Sequence, residues 1–106
     1  MAEVPGPVRR LLDAANANDI DAFLGGFTAD GVVDDWGRQF RGPDAIRGWS
    51  DEEFIGKQVS LEVTEVADEE DETVVTAQVG GNGFNGPSHF SFTTKDDLVT
   101  RMTIRA

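Results

Sequence analysis

The stretch Lys57-Gln58-Val59-Ser60-Leu61-Glu62-Val63-Thr64 decides how this chain is read. Val59, Leu61 and Val63 alternate with Ser60, Glu62 and Thr64, which is the period of a strand with one buried face. Before it the apolar residues recur at helical spacing, and after it they stay strand-like. The chain therefore divides into an N-terminal half that carries the helices and a sheet-forming C-terminal half.

Downstream, Val66 falls out of phase with Val63, so a bulge or a twist is expected in a long strand. The acidic run Asp68 to Glu72 reads as a hairpin tip. Val74 to Val79 forms the next strand, and Gly80 to Pro87 is a glycine-rich loop. A further strand spans about Ser88 to Thr94, Asp96-Asp97 turns the chain, and Leu98 to Ile104 makes the last strand. Consecutive strands on short turns favour an antiparallel meander.

Upstream, Val8, Leu11, Leu12 and Ala15 occupy i, i+3, i+4, i+7, with Pro5 and Pro7 at the helix start. Ile20, Phe23, Leu24 and Phe27 repeat that spacing, with Asp19 as N-cap. Thr28-Ala29-Asp30-Gly31 is expected to end this helix in a turn. Gly31 to Asp35 and Arg38 to Arg41 read as short strands about Trp36-Gly37. Gly42-Pro43 opens a third helix with Ala45, Ile46 and Trp49 on its apolar face. Ser50-Asp51-Glu52-Glu53 matches a capping box, which would break that helix at Ser50.

Residues 1–106 fit a single domain of the α+β class, three N-terminal helices on a curved antiparallel sheet. The chain has no cysteine, so disulfides and thiolate metal sites are excluded. Its formal charge of −11 disfavours nucleic acid and anionic membrane surfaces. No apolar run approaches a membrane span, and Met-Ala-Glu-Val-Pro-Gly-Pro lacks the features of a secretory signal. A cytoplasmic location is the expectation.

Val8-Arg9-Arg10-Leu11-Leu12, Asn18-Asp19-Ile20-Asp21-Ala22-Phe23, Phe27-Thr28-Ala29-Asp30-Gly31-Val32, Arg41-Gly42 and Ile46 stand in an order that resembles the nuclear transport factor 2-like superfamily. The SnoaL-like and ketosteroid isomerase-like branches are the most similar, and the four-strand tail extends the likeness over nearly the whole chain. The resemblance implies a cone-shaped, cystatin-like α+β barrel with a hydrophobic cavity, and a homodimer formed through the outer sheet face. It implies no single activity, since members include isomerases, cyclases, hydrolases and non-catalytic adaptors.

In the isomerase branch a carboxylate base follows the first strand, and Asp35 matches that position. A carboxylate between Val33 and Trp36 is open to desolvation, which would raise its pKa towards that of a general base. The plainer reading makes Asp34 and Asp35 solvent-exposed turn residues. The oxyanion donors of that branch are unmatched: the tyrosine position falls on Leu11, in a chain without tyrosine, and the late-strand acid falls near Ser88 or His89. Ketosteroid isomerase activity is therefore not expected.

His89 is the only histidine. It is a weaker catalytic candidate, because Phe90 and Phe92 facing the core would turn it to the opposite side. Leu11, Trp36, Phe40, Trp49, Phe54 and Phe84 are candidate cavity walls, although rings at such spacings also serve simply as core. Arg38, Arg41 and Arg47 would neutralise Asp34, Asp35 and Asp44 or meet an anionic ligand. No metal site is read, since Asp68 to Glu72 lacks the glycine and spacing of a calcium loop. Nor is a cofactor, because no helix follows the glycine-rich loop to cradle a phosphate.

Three functions compete. The first is a protein that binds an apolar small molecule in its cavity. The second is an isomerase, cyclase or hydrolase-type enzyme with Asp35 as base. The third is a dimerisation or adaptor domain filled by its own aromatics.

Overall fold

The computed structural model describes residues 3–69 and 71–105. Helices α1 (Gly6–Asn16) and α2 (Ile20–Gly25) precede the hairpin of β1 (Phe27–Asp35) and β2 (Arg38–Arg41). Helix α3 (Pro43–Glu53) follows, with a 3-10 turn at Ile55–Lys57. Four long strands complete the chain: β3 (Ser60–Glu69), β4 (Glu72–Gly80), β5 (Gly86–Lys95) and β6 (Leu98–Arg105). No described helix is long and apolar enough to cross a membrane.

The six strands form one sheet in the order β2-β1-β6-β5-β4-β3. β3 to β6 are the expected meander, and every neighbouring pair is antiparallel except β1 and β6, which run parallel. The parallel pair brings the hairpin beside the last strand, so residues near 35 and 104 become neighbours. The sheet ends on β2 and β3, which leaves an open α+β cone and not a closed barrel.

Alternation sets the inner face. Val75, Ala77 and Val79 of β4, and Phe90 and Phe92 of β5, are buried against the helices. Val8, Leu11, Leu12 and Ala15 of α1, and Ile46 and Trp49 of α3, meet them from the other side. Of the bulge or twist expected near Val66, the strand shows a register shift, the β3–β4 pairing slipping between Val63 and Glu65. Asp19 caps α2 as expected, its carboxylate accepting from the Ala22 N–H at 3.1 Å.

Four local expectations change. Helix α2 stops at Gly25, and Phe27, expected on its face, opens β1 with its ring edge-on to Phe23 at 5.3 Å. Thr28 to Gly31 is absorbed into β1 as an irregularity: Phe27 pairs with Val99 but Val32 pairs with Arg101. Gly31 permits that crowding, since a Cβ there would sit 3.0 Å from the Phe27 Cβ. Helix α3 runs through Ser50, whose buried hydroxyl accepts from the Ile55 N–H at 3.3 Å and so serves the end of the helix, not a new start. The acidic run is more strand-like than expected, because Glu69 pairs with Glu72; Glu70, within it, lies outside the described residues.

Candidate active site and cavity

Asp34 and Asp35 are adjacent at the end of β1, so alternation sends their carboxylates to opposite faces of the sheet. Trp36 and Gly37 then turn the chain in two residues, with φ of 55° and 91°. Positive φ at both positions is what a tight hairpin turn of this twist requires. The turn carries Arg38 back opposite Asp35.

Asp35 faces inward beside a cavity of about 390 Å³. Its walls come from the β1–β2 hairpin, the end of α3 with the 3-10 turn, and the β4–β5 region. Trp49 and Phe54 stack with centroids 4.9 Å apart and form one side, while Val59, Val79, Phe90 and Ile104 supply apolar surface. Trp36 and Phe84, 62% and 60% exposed, stand at its entrance.

The Asp35 carboxylate is 15% exposed and not isolated among apolar groups. Its Oδ2 accepts from Trp49 Nε1 at 3.1 Å and from Arg38 Nη2 at 2.6 Å. Arg38 also grips Glu53 with two bonds of 2.7 and 2.9 Å. Those bonds to Glu53, with Asp35 second, push the Arg38 guanidinium above its usual range, and Arg38 in turn holds Glu53 below its own. The carboxylate expected among apolar groups thus has a charged partner against it. Oδ1 has no hydrogen-bond partner among the described residues, which leaves one carboxylate oxygen open to a ligand.

Ser88 is 4% exposed, lines the same cavity, and its hydroxyl has no partner among the described residues. His89, the next residue, is exposed on the outer face opposite Thr76 and Arg105. As a cavity acid or base it is therefore corrected: strand alternation with Phe90 carries it away. Leu11 and Phe40 are also corrected as cavity walls. Leu11 is buried against Gly26, the residue that ends α2, where a Cβ would meet its side chain, and Phe40 lies 6.1 Å from Trp49 and supports that ring without lining the space. Trp36, Trp49, Phe54 and Phe84 do line it.

Glu53, Lys57 and Ser88 also line the cavity, and none was singled out as a wall from sequence. Glu53 had a readable signal, lying one helical turn beyond Trp49 on α3. Of the arginines, only Arg38 neutralises Asp35; Arg47 pairs with Asp21, and Arg41 reaches the Asp30 carbonyl. Asp34 instead lies outward, 5% exposed, with Arg101 at 2.8 Å, Arg105 at 3.1 Å and the Gly37 N–H at 2.8 Å. The Arg105 contact above all holds its carboxyl below the usual range, against the opposing pull of burial. Among the described residues no three carboxylate or imidazole groups converge as a metal site would need.

Fold and cavity together define an α+β cone of the nuclear transport factor 2-like kind. The SnoaL-like domain matches residues 8–102, and the chain belongs to that family. A candidate polyketide cyclase from Sinorhizobium meliloti is similar at 31% identity, with 96% of this chain and 95% of that one covered and a TM-score of 0.84. A Catenulispora acidiphila protein with a ketosteroid isomerase-like fold, solved with trimethylamine, shares 22% identity over 98% of this chain and 87% of its own, at TM-score 0.82. An NTF2-like protein of unknown function from Cytophaga hutchinsonii shares the fold at 9% identity and TM-score 0.80, covering 98% and 91%. No curated protein matches the chain in sequence.

Proposed function

We propose that this protein binds an apolar small molecule in the cavity beside Asp35. The observation that carries the reading is the cavity's composition. About 390 Å³ is bounded mainly by rings and aliphatic side chains, with Asp35, Arg38, Glu53, Lys57 and Ser88 as its polar lining. That is the usual make-up of a small-molecule site, where apolar walls supply affinity and a few polar atoms fix orientation. The Asp35 Oδ1 and the Ser88 hydroxyl are the orienting groups. A void at Trp36 and Trp49 counts against an adaptor domain filled by its own aromatics.

A catalytic reading rests on one specific observation, the free Asp35 oxygen at the cavity wall. On that reading Asp35 Oδ1 removes a proton from the bound molecule in an isomerase-, cyclase- or hydrolase-type step, as in the branch whose base it matches. The likeness to a candidate polyketide cyclase supports it. Binding ranks first because Asp35 Oδ2 is tied to Arg38 and Trp49, the chain has no tyrosine, and the other acid in the cavity lining, Glu53, is held by Arg38.

The homodimer proposed through the outer face of the sheet would use His89, Ser91 and Thr93 with Thr103, a polar strip suited to a two-fold contact. Light scattering after size exclusion reads it directly: a clean 11.5 kDa species contradicts the dimer.

Calorimetric titration of uncharged one- to four-ring compounds tests the binding reading. Saturable binding at one molecule per chain is expected. Val79→Trp, which fills the cavity, should abolish it while the protein stays folded. Asp35→Asn separates the two readings: binding without turnover in both proteins supports a binding module, and turnover lost only in the variant supports the enzyme. No saturable binding across the series would contradict both.

A further inference from the structure

The cavity's aromatic groups fall into two sets. The chain has nine rings, seven Phe and two Trp. Seven belong to one connected set of ring contacts through Phe54, with centroids 4.9 to 6.5 Å apart. The two outside that set are Trp36 and Phe84. Among the described residues they are also the two large apolar side chains exposed to solvent, and both border the same cavity.

Neither ring is explained by the fold. Trp36 occupies the first loop position of its hairpin in the left-handed region, at φ 55°. Asn and Gly take that conformation readily, and a bulky side chain strains it. A tryptophan there costs stability and exposes an apolar ring, so it is kept for something other than the turn. Phe84 lies in the glycine-rich loop with its ring tip against the backbone of Gly86, where a Cβ would come within 3.2 Å of Phe84 Cζ. Gly86, at φ 146°, is the bare support that lets the ring lie there. Two elements distant in sequence thus each bring one exposed ring to one entrance, and the hairpin does so at the cost of a strained turn residue.

We infer that the cavity takes a flat, conjugated ring compound, and that Trp36 and Phe84 select it by stacking at the entrance. This rests on the binding reading and narrows it to a chemical class. Ring-on-ring contact adds to what apolar area alone provides, and only a ligand with π faces collects that addition. A saturated molecule of the same skeleton is at least as apolar, so burial alone would not disfavour it.

Calorimetry with 2-naphthol and decahydro-2-naphthol isolates the property, because the two share a carbon skeleton and a hydroxyl. The wild-type protein is expected to bind 2-naphthol about tenfold more tightly or better. Trp36→Asn removes the ring while suiting the left-handed turn, so its Tm should equal or exceed wild type while the preference collapses. Phe84→Leu keeps the apolar bulk and should also shrink the preference without loss of Tm. Equal affinity for the two alcohols in wild type would overturn this inference and leave apolar binding standing. Binding of neither would overturn both. Preference that survives both substitutions would overturn the role of the rings. So would a changed oligomeric state in Trp36→Asn with preference intact, since the ring would then serve a protein contact.

Discussion

Asp34 and Asp35 are neighbours in the chain and opposites in the fold. Asp34 points to the outer face and is closed on every side: two arginines from β6 and the Gly37 N–H use its oxygens. Asp35 points to the inner face and is closed on one side only, with Oδ2 engaged and Oδ1 bordering a cavity. The same residue type, one position apart, thus serves to join strands in one case and to remain available in the other. What separates them is the two-residue period of a strand and the parallel pairing of β1 with β6, which delivers Arg101 and Arg105 to one face only.

The contrast predicts unequal consequences. Asp34→Ala should be the costlier change, destabilising by about 2–3 kcal/mol in urea unfolding. It strands two guanidiniums around a buried site, though their partial exposure moderates the loss. A loss below about 0.5 kcal/mol would show that the outer cluster joins nothing.

Acid should expose the same difference. The folded pKa of Asp34 lies below its ordinary 3.8, and that of Glu53 below 4.5. Groups with depressed folded pKa stabilise the native state above their unfolded values, and the contribution fades as pH falls through the folded ones. Stability should therefore drop below about pH 4, and more gently in Asp34→Ala than in wild type. Parallel pH curves for the two proteins would remove Asp34 as the source.

Asp35→Asn is the smallest of the three, costing under about 1 kcal/mol. The amide oxygen can still accept from Trp49, and Arg38 keeps its two hydrogen bonds to Glu53. A cost equal to that of Asp34→Ala would mean that both aspartates are structural, and that the inner carboxylate is not held for a ligand.

Much of this arrangement was legible in the residues. Helical spacing placed α1 and the start of α2, and the change of period at Val59 placed the sheet. Alternation from Val33 to Asp35, and from Phe90 back to His89, assigned the faces that the structure has. The long-range pairings were not legible. Nothing near Asp34 in sequence announces Arg101 and Arg105, which reach it only through the β1–β6 contact. Leu11 was placed at the cavity because a family position fell on it, yet that side chain is buried against Gly26 at the end of α2 and does not reach the cavity. Ser50 looked like a helix start because four residues matched a motif, whereas burial of its hydroxyl made it a partner for the end of α3. The strain at Trp36 was also hidden, since a tryptophan before glycine does not declare a left-handed backbone.

An NMR titration with 2-naphthol tests the central claim most directly, because the chain's two tryptophans give two indole N–H signals. Saturable, one-to-one shifts are predicted for Trp36 and for Trp49, whose N–H is bonded to Asp35, with the His89 amide on the outer face unmoved. Shifts confined to the outer face, or indole signals that never saturate, would contradict a ligand cavity beside Asp35.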